Sequence, residues 1–537
     1  MKLHHIIFGT LTSLFITSIS FGQAVTDEQK NWYNGPGLGM STDKAYETLL
    51  QGKTTQTVIV AVIDSGVDVD HEDLKGQIWV NEDEIPGNGI DDDNNGYIDD
   101  VHGWNFLGNA EGENISDVRL EVTRIYATLM EKYEGKSKSD VPQEDQDELA
   151  LYREVKAAVM AERKEAESVK GELSETYKYL AQIDELLQKS LGENYTLKQV
   201  KKARKDPKIG PSAEVMYLLM KEDVWVEDFK DYLDYCDEIL DYNYNPDIDP
   251  RAEILGDDVS DFTGGYGNND YEGPDAGHGT HCAGIIGAVR GNGIGNDGVA
   301  TDVKIMTLRA VPNGDEWDKD IAMAVRYAVD NGAQVINMSF GKSYSPEQEQ
   351  IIAAFRYAEQ KGVLVVHAAG NEAADNNITE NYPRPKYASM NDAFMNWIEV
   401  GASTRYKKAK VKKGILLRDG IAADFSNYGN NTVDVFAPGH DIYSTIPDND
   451  YDLYDGTSMA GPMVAGTAAL IKSYFPELTM FEVRNIILQS VQKMDKTMPL
   501  PGDPEKMVSL DQLSKTGGIV NVYNAIELAI RYLDTPK

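Results

Sequence analysis

Cysteine is nearly absent. The 537 residues include two, Cys236 and Cys282, so no disulfide framework can hold the fold and stability must come from a core and from bound ions. A single bridge between them stays open, although Cys282 lies in a small, apolar stretch and reads as a buried thiol. Basic residues are also scarce, 51 Lys and Arg against 88 Asp and Glu for a net charge of −37. That excludes nucleic-acid binding, which needs a basic footprint, and fits an exported protein that binds metal cations. Long apolar runs are missing after the N-terminus. The one run, Ile6 to about Ile19, follows Met1-Lys2 and precedes Ser20-Phe21-Gly22-Gln23-Ala24, where small residues suit signal-peptidase cleavage. Residues 1–24 are therefore expected to be a signal peptide, the protein to be periplasmic or extracellular, and no transmembrane segment to remain once the signal is removed.

Glycine nearly disappears between Glu111 and Asn245, where Glu, Lys, Leu and Ala dominate. Tyr152, Val155, Val159, Ala166, Val169, Leu173, Leu180, Ile183 and Leu187 recur there at steps of three and four, the stripe of a long helix. Thr196 and Gln199 make a capping box for another helix. This segment reads as a helical insertion, residues 111–250, forming a hairpin or small bundle. Outside it, strands and helices alternate. Val58–Ile63 is a fully buried strand, and Val303–Met306, Val335–Ser339, Val363–Val366, Ile398–Val400 and Val433–Phe436 follow, with helices over 318–330 and 346–360. Such alternation predicts an α/β fold, a mostly parallel sheet covered by helices on both faces, over residues 25–537 apart from the insertion.

Four short motifs carry chemistry. Asp64 ends the Val58–Ile63 strand, at the carboxyl edge where open α/β sheets build sites. His278 lies in a Gly-rich turn, Gly277-His278-Gly279-Thr280-His281. Ser458 follows Gly456-Thr457 and opens a buried helix, where free N–H groups and the dipole favour negative charge beside its oxygen. A serine hydroxyl needs a base and an orienting acid to attack a carbonyl, and His278 and Asp64 supply them. Asn371, in Ala369-Gly370-Asn371-Glu372 after another buried strand, offers a side-chain N–H to the oxyanion alongside the Ser458 N–H. Each residue also has a structural reading: a loop histidine, a turn aspartate, a helix-capping serine.

Together these segments, from about Val58 to Phe106 and Gly256 to Leu470, resemble a subtilisin-type serine protease of the subtilase family, in the chain order Asp…His…Ser. The resemblance implies that Ile336–Gly341, with Met338, Ser339, Phe340 and Gly341, is an edge segment pairing with extended protein or peptide substrate. The sequence departs from the family in its long Asp–His spacing, in the roughly thirty residues before the first strand, too few for a folding prodomain, and in Gly461 and Met463. Separately, Asp91, Asp93 and Asn95, with Gly96 at the sharp turn, match the first half of a calcium loop and Asp99 falls at its ninth position; His102 at the twelfth excludes an EF-hand, and Ca2+ is the expected structural ion. The competing expectation is a non-catalytic scaffold that binds partners through the helical insertion.

Overall fold

The structure is a computed structural model and describes residues 25–221, 224–412 and 414–534. The expected signal peptide lies outside them. Among the described residues no helix is long and apolar enough to cross a membrane.

Residues 25–116 and 251–534 group into one compact unit and residues 117–250 into a second. The first is built on a nine-stranded sheet. Its strands are β1 (Val58–Asp64), β2 (Gly103–Asn105), β3 (Val303–Arg309), β4 (Val335–Met338), β5 (Leu364–Ala368), β6 (Trp397–Ser403), β7 (Val435–Pro438), β8 (Gln492–Lys493) and β9 (Gly518–Ile519). They lie in the order β8-β9-β7-β6-β5-β4-β1-β3-β2. Every pairing is parallel except β8 with β9.

The central strands are apolar on both faces because both are covered. Val60 and Val62 of β1 face one core, with Val335, Leu364, Val366, Ile398 and Val400. Ala61 and Ile63 face the other, with Met306, Ile336, Met338, Val365 and Trp397. The first core is filled by two helices of small residues, Gly277–Gly287 and Thr457–Tyr474. The second is covered by the helices Asp318–Asp330 and Gln348–Gln360. Small residues let the first pair sink deep. A Cβ at Gly284 would stand 2.2 Å from Thr445 Oγ1, and one at Gly466 2.8 Å from Val299 Cβ.

That packing corrects one expectation. His278 is not in a turn but is the second residue of the Gly277–Gly287 helix. The glycines that suggested a turn serve close approach instead: a Cβ at Gly279 would meet the Gly66 carbonyl at 2.1 Å.

The second unit is helical. Its 46-residue helix Gln146–Leu191 buries Tyr152, Val155, Val159, Ala166, Leu180, Ile183 and Leu187, most of the expected stripe. Helix Glu121–Tyr133 packs on its first third, Val226–Glu238 on its middle, and Leu197–Ala203 with Gly210–Lys221 beyond. The unit starts at Asp117 rather than Glu111. Residues before it stay tied to the first unit: Ile115 N–H donates to Leu107 O at 2.7 Å and Arg309 donates to Ile115 O at 2.6 Å.

Candidate active site

Four of the expected residues lie at the carboxyl ends of β1 and β5 and at the starts of the two small-residue helices. Asp64, 1% exposed, is the last residue of β1. Its Oδ1 accepts from Ser65 N–H at 2.7 Å and lies 2.7 Å from His278 Nδ1. That bond leaves His278 Nε2 as the free acceptor nitrogen of the neutral ring. Burial pulls the His278 pKa down, but the charge and hydrogen bond of Asp64, with Asp275 behind, outweigh it and raise the imidazole above its ordinary value.

Ser458 is the second residue of its helix, so its N–H has no acceptor within the helix. Its Oγ donates to Ser339 O at 3.1 Å. Asn371 follows β5 by three residues, and its Oδ1 accepts from Thr457 N–H at 2.8 Å and Thr457 Oγ1 at 2.9 Å. Two donors on one oxygen fix the amide, so its N–H group is turned away from Thr457.

One contact is new. Pro462 stands four residues after Ser458 and has no N–H, so the Ser458 carbonyl loses its helical donor. Ser339 Oγ replaces it at 2.8 Å, itself oriented by Asn337 Nδ2 at 3.1 Å, and Cys282 Sγ lies 3.5 Å from the same oxygen. The proline at that spacing was the signal available in the sequence. Cys282 also lies with Asp64 and His278 in one cluster, and both cysteines are free thiols.

The expected substrate segment divides. Met338 is fully buried and has register partners on both sides, Ile63 in β1 and His367 in β5, so it cannot be an edge residue. Ser339 is buried and serves the Ser458 carbonyl. Surface begins at the half-buried Phe340 and the exposed Gly341.

The acidic loop is also redistributed. Asp91 accepts from Asn95 and Gly96 N–H, and Asp99 from Asn88 and Gly89 N–H, so both carboxylates shape the backbone. Asn95 donates to Asp93 and Asp100. The carboxylates that converge are Glu84, Asp93 and Asp100, with oxygens within 4.8 Å of one another. Burial lifts Asp100 to about 6, against hydrogen bonds from Tyr327, Asn95 and Asn81 that pull it down.

The fold is an α/β one, with Asp64 and His278 hydrogen-bonded at the carboxyl end of β1 and Ser458 Oγ bonded to Ser339 O just beyond the carboxyl end of β4. A family model described as the Subtilase family matches residues 55–502, and the chain belongs to that family. It is 39% identical over 261 residues to the thermophilic serine proteinase of Bacillus sp. (strain AK1), covering 48% of this chain and 55% of that one. It is 40% identical over 199 residues to thermitase of Thermoactinomyces vulgaris, covering 37% and 61%. With subtilisin DY of Bacillus licheniformis it shares 38% over 212 residues, 39% and 68% of the two chains. The chain thus spans a little over half the length of the first of these relatives.

Proposed function

We propose that the protein is an exported serine endopeptidase that cleaves peptide bonds through Ser458, His278 and Asp64. The observation that carries this reading is the 2.7 Å bond from His278 Nδ1 to buried Asp64 Oδ1, and it is supported by a serine whose helix start leaves its N–H free. Ser458 Oγ turns from Ser339 O toward His278 Nε2, which takes its proton as the Oγ–C bond forms. The Ser458 N–H and the Asn371 side-chain N–H stabilise the oxyanion. His278 then passes the proton to the leaving amine as the C–N bond breaks, and water repeats the sequence to free the acyl-enzyme. Asp64 holds the imidazolium throughout without itself being protonated.

Calcium fits the acidic loop as a structural ion. Glu84, Asp93 and Asp100 converge without a basic partner among the described ion pairs, a hard oxygen donor set whose mutual repulsion a divalent cation relieves. Export rests on the N-terminal sequence. The helical unit is proposed as an insertion in the peptidase domain. The scaffold reading lacks an observation of its own, because the helical unit's apolar stripe is spent on internal packing.

Hydrolysis of a p-nitrophenyl peptide ester tests the activity. A burst of one product equivalent per enzyme is expected, with none from Ser458→Ala. Loss of one oxyanion donor costs about 10²–10³ in kcat, a figure that comes from subtilisin itself, and Asn371→Ala is expected in that range. No burst from folded wild type would refute the proposal.

A further inference from the structure

The basic residues of this acidic chain are not spread evenly. Residues 405–418 hold seven Lys or Arg and no Asp or Glu, in a chain of net charge −37. They build a two-stranded antiparallel hairpin, Lys410–Lys412 with Ile415–Arg418, that joins no other sheet. Lys407, Lys408, Lys410, Lys412 and Arg418 are exposed, and among the described residues none of these five forms an ion pair. Val411, Ile415 and Leu417 beside them are exposed by 41%, 56% and 51%. Lysines on an exposed strand edge can serve only to discourage aggregation. That accounts for Lys410, Lys412 and Arg418 on the strands, not for Lys407 and Lys408 before them in a chain where carboxylates abound.

The base of the hairpin leads to the nucleophile. Arg405 Nε bonds Asp441 Oδ2 at 2.8 Å and Tyr406 Oη donates to the same oxygen at 3.0 Å. Asp441 N–H donates to Asp455 Oδ1 at 2.6 Å, and Gly456 N–H to Gly439 O at 2.8 Å, immediately before Thr457 and Ser458. Against the hairpin lies a cavity of about 400 Å³ lined by Tyr406, Leu416, Leu417, Arg418, Asp419, Asp424 and His440. Its two lining acids, Asp419 and Asp424, accept the backbone N–H groups of Asp424 and Gly502, and the neighbouring Asp441 and Asp455 are paired with Arg405 and His440. The lysines above them are not.

We propose that this hairpin selects substrate: an acidic stretch of polypeptide flanking the scissile bond is held by Lys407, Lys408, Lys410, Lys412 and Arg418. The inference rests on the peptidase reading above. A polypeptide fits better than an anionic lipid or polymer because the hairpin offers free strand edges with exposed apolar side chains, which an extended chain can use, and because its base is bonded to Asp441, which bonds Asp455 three residues before Ser458.

The test uses fluorogenic peptides identical around the cleaved bond. One carries four Glu as a flank and the other four Gln, with the flank before the bond in one pair and after it in a second pair. Wild type is expected to cleave one Glu peptide about tenfold faster than its Gln partner in kcat/KM at low salt, the preference fading at high salt as screening sets in. The quadruple Lys→Gln variant at 407, 408, 410 and 412 should lose the preference and keep its rate on the Gln peptides. Equal rates on both members of each pair in wild type, or a preference that survives in the variant, overturns the proposal. Lysine-dependent binding to phosphatidylglycerol vesicles without any peptide preference overturns it too, and assigns the hairpin to a lipid surface. If wild type cleaves no peptide, the peptidase reading fails on its own. Anisotropy of the labelled Glu and Gln peptides with Ser458→Ala, with and without the four substitutions, then decides the hairpin separately.

Discussion

Ser339→Ala tests how the nucleophile is held. The Ser458 carbonyl faces Pro462, which offers no N–H, and takes the Ser339 hydroxyl at 2.8 Å. Removing that hydroxyl leaves a buried acceptor with only the weak Cys282 thiol at 3.5 Å, and leaves Asn337 Nδ2 without its partner at 3.1 Å. A buried polar group deprived of its partner costs about 1–3 kcal/mol; with the thiol remaining, about 2 kcal/mol is expected here. That corresponds to a melting shift of at most about 4–8 °C by the scaling for 150–250-residue domains, and less in a larger one. Melting is best followed in a Ser458→Ala background, which keeps the carbonyl and prevents self-cleavage. Pro462→Ala supplies the decisive control, because alanine restores an N–H at the helical position. In that background Ser339→Ala should cost at least about 1 kcal/mol less than it does alone. If the two changes add within about 0.5 kcal/mol, Ser339 is not the substitute donor and the reasoning fails.

Three further outcomes are expected. Burial lowers the His440 pKa, but Asp441 at 3.4 Å, Asp455 and Asp419 outweigh it and raise it from 6.5 to about 9. A raised folded value means the stabilisation is complete below the ordinary value and fades as pH climbs through about 9. At an ion-pair rather than hydrogen-bond distance, His440→Gln should cost on the order of 2 kcal/mol at pH 6 and little at pH 10, and an equal cost at both pH values counts against the ion pair. Calcium at a hundredfold excess over its dissociation constant should stabilise the chain by about 2.7 kcal/mol. Glu84→Gln or Asp93→Asn should abolish that gain, and a melting temperature indifferent to chelator would reduce the loop to a solvated turn. Gly461→Ser should stabilise by about 1 kcal/mol in chemical denaturation: a Cβ there stands 3.3 Å from Asn337 Oδ1, which is buried without a partner, and a serine hydroxyl can donate to it. Destabilisation would show that Asn337 cannot give way.

The sequence made the sheet legible because β1 and β3 to β7 are runs of β-branched and apolar residues buried on both faces. It made Asp64, His278, Asn371 and Ser458 candidates because each sits in a short motif of glycines and small residues, and the bond from Asp64 to His278 is the part of that reading the geometry adds. What escaped depends on neighbours far apart in the chain. Ser339 and Ser458 are separated by 119 residues, and no local pattern says that one hydroxyl serves the other's carbonyl. The acidic loop suggested donors by alternation, but the carboxylates that converge are Asp93 and Asp100 with Glu84, which lies outside the repeat and also accepts backbone N–H groups of the loop. Glycines at 277 and 279 read as a turn because sequence cannot distinguish a flexible glycine from one that admits a neighbouring backbone.

The central claim is that Ser458 is an activated nucleophile, and covalent labelling tests it most directly. Folded protein treated with a fluorophosphonate should gain one adduct, mapped by mass spectrometry to Ser458, lost in Ser458→Ala and strongly slowed in His278→Ala. An intact, folded wild type that takes no label, or takes it at another serine, would contradict the account.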